Sequence, residues 1–171
     1  QNIGAEDIPR VRKGMRASLL MSELVVCSII LLFFVSGRDI LSLFMGSDAN
    51  ETVLNIGMQY LLTVAPFYPL VGIKNCCDSV LRGGGAMGPF MTTTLADLAL
   101  RVVLAFWLAP SHGFAGICYA YPLGWIIGTS ISIVFYVTDI WVPKHVRQAL
   151  REGRTVIPVH RHHTDEDEAH T

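Results

Sequence analysis

The chain has 171 residues, 51% of them hydrophobic and only 16% charged, with a mean hydropathy of +0.45 and a formal net charge of −1. Soluble domains carry about 25% charged residues, so the composition points away from an ordinary soluble domain, and without a basic excess it points away from a nucleic-acid partner. The four cysteines (Cys27, Cys76, Cys77, Cys118) have neither CxxC nor zinc-finger spacing and read as packing residues.

Residues 1–16 form a polar lead in which Arg10, Arg12, Lys13 and Arg16 crowd against an apolar run, a pattern expected of a cytoplasmic loop. The first span is predicted over 17–35, with Glu23 as its one charge. At about 1.5 Å rise per residue it nearly crosses the ~30 Å hydrocarbon layer. A connection follows, in which Ile40–Phe44 reads as a short interfacial segment. The second span is expected over 53–73, interrupted by Pro66 and Pro69 and ending in Lys74 and Asp78. Each interior proline removes a backbone hydrogen bond, a defect that neighbouring helices in a bilayer can repair. Gly83, Gly84 and Gly85 then make a turn or hinge, because neither a preceding strand nor a GKS/GKT signature supports a phosphate loop. A third span over 90–109, a Pro110–Gly113 turn and a fourth span over 114–138 complete an all-α integral membrane fold of four transmembrane helices over 17–138. Residues 139–171 are predicted to be a cytoplasmic tail, with Trp141 as an interfacial anchor, a short helix from Lys144 and a disordered end.

Four spans place both ends and the glycine turn on one side of the bilayer. Eleven lysines and arginines fall on that side, and only Arg38 on the other. The positive-inside rule therefore predicts cytoplasmic ends for a multi-pass protein of a plasma or inner membrane.

Three charges sit inside the spans. Asp97 and Arg101, four residues apart, share one helix face and can neutralise each other. Glu23 has no partner nearby in sequence, although it lies at the same ~10 Å depth as Asp97, which makes a cluster between the first and third spans geometrically possible. Charges at such depth normally face protein or water, so Glu23, Asp97 and Arg101 are candidates for ion coupling or a substrate pathway. In the last span Gly116, Ala120, Gly124, Gly128 and Ser132 recur at every fourth position, a helix-packing stripe that Pro122 lies beside. His160, His162 and His163 lie in the polar tail and read as solvated rather than as metal ligands. No cofactor motif occurs, and no Ser/His/Asp, Cys/His or HExxH arrangement points to an enzyme.

Ordered along the chain, several of these motifs resemble the MATE (multidrug and toxic compound extrusion) transporters. Gln1–Ala5, Pro9–Arg10 and Arg12–Arg16 are similar to that family's QNxGAG-type cytoplasmic loop. Tyr60–Leu61 and Ala65–Leu70 resemble its proline-bearing helix, Leu81–Gly85 its LRGxG loop, and Gly116–Ile117 with Pro122–Trp125 its last helix. Two positions depart from the pattern: Glu6 stands where a second glycine is common, and Gly85-Ala86-Met87 replaces a more polar sequence. The resemblance implies the last four of twelve helices arranged in two lobes, with the first lobe and the first two helices of the second as partners. It also implies export of drug-like cationic or amphipathic compounds against protons or sodium. The family's coupling acids on the first helices of each lobe have no counterpart here. Two other readings fit the spans: an exporter of lipid-linked or polysaccharide intermediates, which would want a more cationic cavity than Arg101 alone supplies, and a non-transporting membrane scaffold.

Overall fold

The computed structural model describes residues 2–45 and 50–152. Among them there is helix and turn but no strand. Helix α1 (Ile8–Met45) is followed by α2 (Glu51–Val64), a 3-10 turn at Ala65–Phe67 and α3 (Tyr68–Gly83). Then come α4 (Met87–His112), α5 (Phe114–Val137) and the short α6 (Lys144–Arg151). Four helical units are long and apolar enough to cross a membrane: α1, α2–α3 taken together, α4 and α5.

The helices outrun the hydrophobic runs that announce them. α1 begins at Ile8, so much of the polar lead is helix, and it continues unbroken through Ile40–Phe44, which is therefore no separate interfacial segment. Backbone bonding carries a helix past the edge of its apolar stretch wherever no proline or glycine stops it. α2 starts where Asn50 accepts a hydrogen bond from the Thr52 amide (2.9 Å), with Glu51 in the first turn. The second span changes character at Pro66 and Pro69: the first lies in the 3-10 turn and the second at the start of α3, where its missing N–H costs least. α3 then continues through Lys74 and Asp78, so the helix does not stop at the polar residues that close the predicted span. Pro110 lies inside α4, and the turn contracts to Gly113, which has φ +58°. α5 runs uninterrupted across the buried Pro122.

α3 occupies the middle, packing on α1, α4 and α5, while the most extensive contact joins α4 to α5. α1 and α4 share no substantial contact. In the apolar window of α5, 44% of residues are buried within the bundle, against none in that of α1, whose apolar residues face outward.

One end of the bundle closes over a compact knob. Ile8, Leu81, Trp141, Val142 and Val146 form a buried cluster that gathers the start of α1, the end of α3 and the segment after α5. The glycine turn is held in this knob. A Cβ on Gly84 would strike the Trp141 carbonyl oxygen, and Gly85 adopts φ +72°. Glu6 takes φ +58°, the left-handed conformation that explains why glycine suits that position; its carboxylate meets His145 Nε2 at 2.7 Å. Arg12 pairs with Asp139 at 2.7 Å, joining α1 to the end of α5.

Candidate functional site

Three polar groups interrupt the apolar helices. The first was not legible as a site. On α3, Lys74 Nζ donates to Asp78 Oδ2 at 2.5 Å across one helical turn. The other carboxylate oxygen, Oδ1, accepts from Ser132 Oγ of α5 at 2.7 Å. It also lies 3.2 Å from Thr93 Oγ1 of α4, whose hydroxyl is shared with the Phe90 carbonyl at 2.8 Å. Asp78 is 4% exposed and Lys74 7%, so the pair is withdrawn from solvent and from lipid. Beside it Thr129 donates to the Leu70 carbonyl (3.0 Å), bridging α5 to α3. Every charged atom in this group has a counter-group, as a buried ion pair requires.

The second group is the pair Asp97–Arg101 on α4, joined at 3.1 Å. It packs against the small-residue stripe of α5. A Cβ on Gly128 would lie 3.0 Å from Asp97 Cβ, and one on Gly124 would run into the Arg101 side chain. Gly116 likewise meets the backbone of Leu108, and Ala120 is buried on the same stripe. The stripe thus lets α4 bring two charged side chains close to the α5 backbone, a use of small residues beyond helix-on-helix contact. The Arg101 guanidinium lies 5.7 Å from the centre of the Tyr121 ring. Tyr121 in turn contacts Tyr60 of α2 and Trp125, and Trp125 contacts Tyr68 of α3, with ring centres 5.7–5.9 Å apart. This pair is incompletely satisfied: Asp97 Oδ1 and Arg101 Nε are buried with no hydrogen-bond partner among the described residues.

Glu23 forms the third group. Its Oε1 is buried against Gly72 of α3, where only a glycine leaves room for it, with no hydrogen-bond partner among the described residues. Glu23 and Asp97 are not joined in one cluster. The first packs on α3 and the second on α5, because equal depth fixes height along a helix and leaves its rotation open. Among the described residues no three of His, Cys, Asp and Glu gather as a metal site would require. The tail histidines lie outside the described residues.

The MatE family profile matches residues 1–107. A probable multidrug resistance protein of Bacillus subtilis (strain 168) is 24% identical over 157 residues, covering 88% of this chain but 32% of the relative. The chain thus spans about a third of the length of that relative. No solved structure matches.

Proposed function

The chain belongs to the MatE family, and from that membership we propose that it is part of a secondary active efflux transporter exporting cationic or amphipathic compounds in exchange for protons or sodium ions. The observation that carries the reading is a pair of carboxylate oxygens, Glu23 Oε1 and Asp97 Oδ1, buried in membrane-spanning helices without hydrogen-bond partners among the described residues. Buried acceptors are normally satisfied, and an unpaired one inside a bilayer is costly. A proton or a small cation completes such an oxygen when bound and leaves it strained when released. The rings of Tyr60, Tyr68, Tyr121 and Trp125, which start at the Arg101 guanidinium, offer flat apolar surface suited to a planar aromatic compound.

In this reading the four spans form the later part of one lobe, the remainder of the transporter supplies the other helices, and the lobes rock about a central cavity by alternating access. Arg10, Arg12, Lys13, Arg16, Arg82, Lys144, Arg147 and Arg151 lie at the knob end and Arg38 at the opposite end, which supports a cytoplasmic knob. Lys74 drops out of that comparison because it is buried in an ion pair.

The test is uptake of a fluorescent organic cation into proteoliposomes of the intact transporter under an imposed proton or sodium gradient. Glu23→Gln and Asp97→Asn are each expected to cut gradient-driven uptake at least about ten-fold, with normal insertion. Wild-type rates in both variants would remove the reading.

A further inference from the structure

Between α1 and the end of α5 the surface carries a groove of about 320 Å³ that the transport reading does not use. Its upper part is polar: Arg12 and Arg16 from α1, Tyr136 from α5 and Asp139 just beyond it. Its apolar lining is Met15 and Leu19 of α1 and Val137 at the end of α5, the last 68% exposed. On α1 the polar groups precede Leu19, which lies about one turn deeper into the span than Arg16, while Val137, the last residue of α5, stands level with Tyr136.

The charges in the groove do not cancel. Asp139 is engaged by Arg12 at 2.7 Å, whereas Arg16 is exposed and makes no ion pair among the described residues. Both guanidiniums line the same groove as Tyr136. The Tyr136 ring is fixed by stacking on Trp141 (5.9 Å, 7°) and by the Trp141 indole N–H, which donates to the Tyr136 carbonyl at 3.0 Å. Its hydroxyl has no hydrogen-bond partner among the described residues, leaving a donor in a groove that Arg16 also lines.

We infer that this groove binds an anionic phospholipid, with the headgroup phosphate on Arg16 and the Tyr136 hydroxyl and one acyl chain running down α1 past Leu19. The chemistry fits in three respects. A guanidinium offers charge-assisted, paired hydrogen bonds to phosphate oxygens. Basic residues at a span's end attract anionic lipid electrostatically. The apolar wall then takes a chain rather than a free phosphate. A zwitterionic headgroup fits less well, since its ammonium would add a like charge near the unpaired Arg16. Glu23, one turn below Leu19 on α1, turns its Oε1 into α3 and away from the chain.

The experiment is native mass spectrometry of the intact, detergent-purified protein with added phosphatidylglycerol or phosphatidylcholine. The wild type is expected to retain phosphatidylglycerol preferentially. Arg16→Gln should lower that retention about five-fold, the effect of one basic residue, and Tyr136→Phe should lower it less. Arg10→Gln, outside the groove, should leave it unchanged. Equal retention by wild type and Arg16→Gln, or equal retention of the two lipids, would overturn the proposal. A phosphatidylglycerol with a photoreactive acyl chain adds position. Label on the α1 peptide containing Leu19 supports the site; label confined to other helices would place the chain elsewhere, and would also overturn it.

Discussion

The bundle holds two acid–base pairs with the same four-residue spacing, yet they are built to opposite ends. Lys74–Asp78 is saturated: both carboxylate oxygens are engaged, one by lysine and the other by hydroxyls from α4 and α5. Asp97–Arg101 is left open, with one carboxylate oxygen and one guanidinium nitrogen buried and unpartnered. The difference lies in what faces each pair. Thr93 and Ser132 face the first, whereas the glycines of α5 and a tyrosine ring face the second, giving it closeness without hydrogen bonds. A saturated pair holds three helices in register; an open one has capacity for something else.

Breaking the saturated pair should have the largest effect. Asp78→Asn strands Lys74 in a buried site and is expected to cost about 3–5 kcal/mol, read by denaturant titration in mixed micelles. Ser132→Ala removes one donor to the same carboxylate and should cost about 2 kcal/mol by the same measurement. At the open pair, Gly128→Ala keeps both charges but pushes a methyl to 3.0 Å from Asp97 Cβ. It should cost about 1 kcal/mol through crowding while slowing transport. The surface pair Arg12–Asp139 supplies the lower limit: Arg12→Ala should change stability by less than about 1 kcal/mol, and less still at high salt.

How much of this could be read beforehand follows from where the partners lie in the chain. The fourth span, predicted over 114–138, emerges as Phe114–Val137 because Gly113 and the polar segment beyond bound it sharply. Asp97 and Arg101 were legible as a pair because both members sit on one helix. Asp78 was not, since its other partners are 15 and 54 residues away and only tertiary packing brings them to it. Residues 74–79, mixed and polar after two prolines, therefore read as a way out of the membrane. The glycine turn was legible as a turn, but not its clamp on Trp141, more than fifty residues later. In the same way the small-residue stripe gave a packing face without revealing that the face receives a charged pair.

The contrast between the two pairs is tested most directly by measuring thermal stability and gradient-driven efflux together on Asp97→Asn and Asp78→Asn in the intact transporter. Asp97→Asn is expected to melt within a few degrees of wild type and to lose most of its transport, whereas Asp78→Asn melts far earlier. An Asp97→Asn protein that transports normally, or that melts as early as Asp78→Asn, would contradict the account.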